Sequence, residues 1–209
     1  GTNFSGFQRQ GKERTVQGVF EKALTELGWN EPALLFAGRT DSGVHASGQV
    51  VSFSLDWHHS SANLLKALNA RLPEDVSVLK VSKAEADFHP RYDASSRTYQ
   101  YTIYQLSERH PLLERFAWRV WPELKGSDLN NAAELFSGRH DFSAFGRAMK
   151  PGSSTIREVS TSRWEKTQNG WRYEIEANAF LYHMVRRLVY VQVSHARGRL
   201  SLFEIERGL

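Results

Sequence analysis

The chain has 209 residues, 40% of them hydrophobic and 24% charged, enough to bury a sizeable core as one large domain or two small ones. It contains no cysteine, which excludes disulfides, thiolate metal sites and cysteine nucleophiles. Its 27 Lys and Arg against 23 Asp and Glu give a net charge of +4 and a pI near 9.4, a balance that leans towards RNA or DNA because arginine pairs with phosphate and stacks on bases.

The opening Gly1–Gly11 is a polar loop with two aromatics, Phe4 and Phe7, and basic groups at Arg9 and Lys12. Its start carries no signal-peptide h-region, so the sequence reads as cytoplasmic. Thr15 caps a predicted helix whose apolar Val16, Val19, Phe20, Ala23, Leu24 and Leu27 share one face, and Gly28 ends it. Two β-like runs follow, Ala33–Phe36 and Gln49–Leu55, with a glycine-rich loop between them. Ser60 and Ser61 offer caps for a second helix, with Leu64, Leu65, Leu68 and Leu72 inward and Pro73 beyond its end. Val76–Val81 alternates as a strand.

Phe88–Arg97 is a crossing segment rich in groups that can touch RNA, and it runs into a strand over Thr98–Tyr104. Alternation puts Tyr99, Tyr101 and Ile103 on one face of that strand. Phe116–Trp121 reads as another short strand. Ser127 or Asp128 caps a helix through Leu135 and Phe136, and Gly138–Gly146 reads as a polar-aromatic loop. Arg157–Lys166 and Trp171–Ala177 alternate as strands joined near Asn169-Gly170, the strongest short hairpin signal. Phe180–His195 reads as a long helix; His183, Arg186 and Arg187 interrupt its apolar run, so it does not read as a membrane span. Ser201 with Glu204 spells a capping box for a last short helix.

The expected fold class is α+β. The halves, 1–94 and 95–209, share a helix-strand-strand-helix order that suggests two βαββαβ-like units packed side by side. In that pattern a strand is wanting before Gly1 and another after the last helix, which reads as trimming of the chain.

No Walker loop, GxGxxG, HExxH, GxSxG or EF-hand spelling occurs. The loop Ala37–Ala46 stands out, since it places Arg39, Asp41 and His45 beside glycines that shape it. A carboxylate two residues from a guanidinium is a candidate reaction centre, or equally a surface turn with a solvated ion pair. A metal set can be assembled from Asp41, His45, His89 and Asp93, but Pro90 denies His89 and Asp93 a helical spacing. Ser42 lacks the setting of a triad nucleophile. What remains is a carboxylate nucleophile or base, arginines, and tyrosines able to stack on a base.

At this point a resemblance becomes plain. Ala37-Gly38-Arg39-Thr40-Asp41-Ser42-Gly43-Val44-His45-Ala46-Ser47-Gly48-Gln49-Val50 resembles the signature of the TruA-type tRNA pseudouridine synthases. Gly1–Gln10, Leu68–Pro73, Phe88–Tyr101, Gly138–Phe142 and Phe180–Arg186 resemble further motifs of that family in chain order, so the likeness spans nearly the whole chain. By position, Asp41 matches the catalytic aspartate and Arg39 the arginine that helps extrude and replace the target nucleotide. Tyr99 matches the tyrosine that stacks on the target base, and Arg186 the helix-borne partner of the acid.

The resemblance implies two RRM-like or ferredoxin-like halves with antiparallel sheets and a catalytic cleft between them. It also implies isomerisation of uridines at positions 38 to 40 in the anticodon stem-loop of tRNA, no metal, no cofactor, and a homodimer. His45, Arg9, Arg91 and Arg139 are expected to contact the substrate, with Lys12 and Arg147 as further phosphate partners. Arg186 is expected to be buried, because Phe180, Met184, Val185 and Leu188 surround it in sequence; a buried arginine needs an acid. The competing readings are a non-catalytic RNA-binding protein with RRM-like halves, and an RNA nuclease.

Overall fold

A computed structural model describes residues 1–150 and 152–209, which divide into two compact units, Gly1–Ala94 and Ser95–Leu209. It is a mixed α+β chain with a two-stranded and a five-stranded sheet.

In the first unit, α1 (Val16–Thr25) starts where Thr15 Oγ1 accepts from the Gly18 N–H at 3.2 Å. Satisfying one of the orphan donors of the first turn is what makes threonine a good cap. β1 (Leu35–Phe36) and β2 (Val51–Ser52) pair antiparallel, and Ala37 N–H extends the ladder to Val50 O at 2.9 Å. α2 (Ser61–Asn69) is capped by Ser60, whose Oγ accepts from Asn63 N–H. Phe7, Phe20, Leu24, Trp29, Leu34, Leu64 and Leu68 form the buried core.

The strand expected over Val76–Val81 does not form. Val78 and Val81 both pack on the core, which a strand would not allow, since residues three apart face opposite sides of it. The backbone of Val78 is served by the Asn69 side chain, which accepts from its N–H at 2.7 Å and donates to its carbonyl at 2.9 Å. A strand needs a neighbour for its backbone groups, and here a side chain takes that place.

The second unit orders its sheet β4-β3-β7-β6-β5, from β3 (Arg97–Tyr104), β4 (Trp118–Arg119), β5 (Gly138–Asp141), β6 (Ile156–Thr167) and β7 (Gly170–Ala177). The expectation of purely antiparallel sheets fails at one pair, since β3 and β4 run parallel while the others are antiparallel. The connection Gln105–Ala117 is long enough to turn the chain back for a parallel return. β5 replaces the expected loop: its Arg139 and Asp141 are exposed, and charged side chains are what an edge strand uses to deter further pairing.

The hairpin is present, but its turn is Gln168-Asn169, with Thr167 opposite Gly170. Gly170 serves a different purpose from the one its spelling suggests. A Cβ there would collide with the Ile103 carbonyl of the adjacent strand.

Helix α3 (Gly126–Glu134) begins one residue before Ser127, behind Lys125, with no side-chain cap. Its position is set instead by Asn130, which accepts from Trp164 N–H at 2.9 Å and donates to Trp164 O at 3.2 Å, both on β6. Helix α4 (Met184–Ala196) starts later than the apolar pattern predicts, because His183 takes a left-handed backbone with φ 61°. α5 (Leu202–Glu206) carries the predicted capping box. The core joins Ile103, Phe136, Phe142, Tyr173, Ile175, Met184 and Leu188, and Trp164 Nε1–H crosses from sheet to helix to reach Gln192 Oε1 at 2.7 Å.

Candidate active site

The loop between β1 and β2 is held by the opening segment of the chain. Phe7 N–H donates to Thr40 O at 3.1 Å, immediately before Asp41. Just after it, Gly43 N–H and Ser42 Oγ–H both donate to Phe4 O at 3.3 Å. Val44 N–H closes a turn onto Asp41 O at 3.1 Å, with Gly43 at φ 77°, a value the third turn position takes most easily without a Cβ. Gly6 is constrained more tightly still: its φ is 94°, and a Cβ there would stand 2.8 Å from Thr40 O. Asp41 is thereby bracketed on both sides by backbone bonds, half-buried, while Arg39 stays exposed.

The anchors of this bracket are themselves fixed. Phe4 and Phe7 are buried. The Arg14 guanidinium lies 4.0 Å from the Phe4 ring centre, donates to Asn3 O, and grips Asp75 through two bonds of 2.8 Å. Those bonds hold the Asp75 carboxyl below the usual carboxylate range. His45 meets Thr2, with Oγ1 and Nε2 3.2 Å apart, and desolvation pushes its imidazole below the ordinary value.

Arg9 is employed within the fold. It pairs with the buried Glu21 at 2.9 Å and donates to Pro32 O, so it neutralises an acid that also receives Gln17 Nε2–H and Leu34 N–H. Arg91 lies exposed in a single helical turn, in which Asp93 N–H donates to His89 O across Pro90. No helix forms over 89–93, in keeping with the expectation from Pro90; the segment closes this one turn only. In that turn Asp93 Oδ2 accepts from His89 N–H and His89 Nδ1 accepts from Arg91 N–H. Among the described residues no group of three or more His, Asp or Glu is arranged to hold a metal.

In the second unit, Tyr99 sits on β3 opposite Ile175, half-buried, with its ring edge-on to Phe180 at 4.9 Å. Tyr101 lies two residues along the same face, as alternation places it. Burial raises its hydroxyl pKa, and the charge of Arg186 acts against that rise, so β3 and the first turn of α4 bring Tyr101 and Arg186 into electrostatic range. Arg186 itself is exposed, whereas Met184 and Leu188 are buried. The expectation of a buried Arg186 is therefore wrong: a helix places neighbouring residues on different faces, and Arg186 takes the outer one. Arg139 is exposed on edge strand β5, opposite Glu158.

Comparison with known proteins agrees with these motifs. A family described as tRNA pseudouridine synthase matches residues 1–93 and 132–209. The tRNA pseudouridine synthase A of Dictyoglomus turgidum is 41% identical over 208 residues, covering 99% of this chain and 84% of that protein. The protein of the same name from Clostridium botulinum strain Eklund 17B is 37% identical over 209 residues, covering 99% and 84%. That from Staphylococcus saprophyticus is 37% identical over 209 residues, covering 100% and 78%. With its Arg-Thr-Asp loop within the matched span and likeness running through both units, the chain belongs to the tRNA pseudouridine synthase family.

Proposed function

We propose that this protein isomerises uridine to pseudouridine at positions 38 to 40 in the anticodon stem-loop of tRNA, with Asp41 as the catalytic carboxylate. The observation that carries the assignment is the bracket around Asp41: backbone bonds on either side hold one half-buried acid, next to an exposed arginine, on a loop that no core packing requires. The reaction breaks the N1–C1′ bond, turns the base, and forms a C5–C1′ bond. The C5 proton is lost and N1 ends protonated, so substrate and product are isomers and no redox partner or nucleotide is consumed. An ionised carboxylate suits both parts, as nucleophile in the first and as base for the C5 proton in the last.

Arg39 fills the space of the extruded nucleotide, and Tyr99 stacks on the free uracil. Arg186 is the basic residue of the catalytic set. His45, Arg9, Arg91 and Arg139 are substrate contacts, and Arg9 also bonds Glu21 within its own unit. In this reading the units are two ferredoxin-like halves, 1–94 and 95–209, of a cytoplasmic homodimer. For the second half, the order β3-β7-β6 with α3 and α4 supports that assignment.

The test is release of tritium from tRNA labelled at uridine C5, without added metal or nucleotide. Wild type is expected to release label and Asp41→Asn to release none above background; turnover retained in Asp41→Asn overturns the assignment.

A further inference from the structure

The entry to α4 carries a construction that the proposed chemistry does not use. Arg147 and Tyr182 join their backbones in an isolated antiparallel bridge, with Arg147 N–H donating to Tyr182 O at 3.4 Å and Tyr182 N–H to Arg147 O at 3.0 Å. The Tyr182 ring lies 3.7 Å from the His183 ring, centre to centre, and only 26° from parallel. The Arg147 guanidinium carbon is 5.9 Å from the Tyr182 ring centre. His183, among the described residues, is the non-glycine residue with positive φ. Such a backbone is unfavourable for a residue with a Cβ and persists only where the surroundings impose it.

What results is a short column of planar groups, pinned by two backbone bonds, with Tyr182 left 43% exposed. Core packing would have buried that ring, as it buries Leu181 and Met184 on either side of the pair. The two segments that build the column, 142–150 and 180–190, contain no Asp or Glu and between them carry Arg147, Lys150, Arg186 and Arg187. An exposed, preorganised aromatic on two segments whose charged residues are all basic suits a polyanion that brings its own flat rings.

We infer that Arg147, Tyr182 and His183 form a stacking platform for an unpaired base of the RNA substrate, with Arg147 also meeting an adjoining phosphate. Every base has a π-face, so this contact tolerates sequence and serves to hold the strand beside the target. Because the bridge has already ordered the tyrosine, little conformational entropy is lost on binding. The inference rests on the assignment of a tRNA stem-loop as substrate.

The experiment uses the full chain and anticodon stem-loop RNAs in which each loop base other than the target uridine is replaced in turn by fluorescent 2-aminopurine. Wild type is expected to quench the probe at a particular loop position on binding. In Tyr182→Leu, with circular dichroism unchanged, that quench is lost and affinity falls roughly 5- to 150-fold, the range for removal of one stacked base. Tyr182→Phe keeps both. Arg147→Gln lowers the slope of log affinity against log salt by about one. If Tyr182→Leu does not fold, Arg147→Gln decides, and an unchanged salt slope overturns the proposal. So does a Tyr182→Leu protein with wild-type quenching and affinity within twofold. Wild type that isomerises the RNA but quenches no loop probe overturns the platform alone, whereas wild type that neither binds nor isomerises overturns the substrate assignment as well.

Discussion

The second unit seats Tyr99 in a five-stranded sheet backed by α3 and α4, whereas the first holds Asp41 between two strands of two residues each. One candidate residue is positioned by side-chain packing, the other by backbone bonds between two loops. Packing tolerates exchange of similar shapes, because many small contacts share the job. A bracket of a few hydrogen bonds at close approach does not: one added atom in the wrong place displaces the acid. The two units are thus expected to fail differently under substitution, the second by losing stability and the first by losing geometry.

The largest effect is expected in the second unit. Leu188 is fully buried, so Leu188→Ala should destabilise the protein by about 2–5 kcal/mol through lost burial and the cavity left behind. A denaturant midpoint unchanged by that substitution would remove the packing half of the contrast. Gly6→Ala comes next. At φ 94° and with Thr40 O in the way, it should cost about 1–3 kcal/mol of local strain. Its turnover should drop by far more than its melting temperature accounts for, because the strained atom sits against the residue preceding Asp41. Equal losses of turnover and stability would show that the bracket is ordinary structure.

A smaller effect follows from the clamp on Phe4. Asp75 has its folded-state pKa depressed by Arg14, so the folded state binds fewer protons than the unfolded one near the carboxylate range. That stability is present above the unfolded value, about 3.9, and is lost as pH falls through the lower folded value. Melting followed from pH 6 down should therefore show a decline that Asp75→Asn lacks over this window, and parallel curves would deny the clamp its part. Least of all should matter the exposed ladder on the second sheet, where Arg163 meets Glu174 at 2.8 Å and Glu165 at 3.2 Å. Arg163→Gln should change stability by about 0–1 kcal/mol in a denaturant series, since exposed pairs gain little over their hydration.

The features legible in the chain were those written in local chemistry. Thr15, Ser60 and the Ser201–Glu204 pair cap the helices they were expected to cap, because a cap is an interaction within one turn. The strands β3, β6 and β7 form where the sequence placed them, each beside a pairing partner. The errors fall where a distant partner decides. Val76–Val81 alternates without a ladder, since Asn69 answers for its backbone. Gly138–Asp141 looked like a loop until β6 lay beside it. The first turn expected of α4 is undone at His183, and Arg186 lies on the outer face of the helix beside the buried Met184 and Leu188.

The same division runs through the site. The sequence alone determined that an acid, an arginine and a histidine share a glycine-bounded loop, since residue types and close spacing are properties of the chain itself. Only the tertiary structure decided why those glycines are needed. Gly6, remote in sequence, must pass Thr40 O without a Cβ for Phe7 to reach it. It also decided that Arg9 serves Glu21, and that Tyr101 feels Arg186. A hydrogen bond or a Coulombic contact depends on distance in space, and a linear order of residues carries no such distance until the chain has folded.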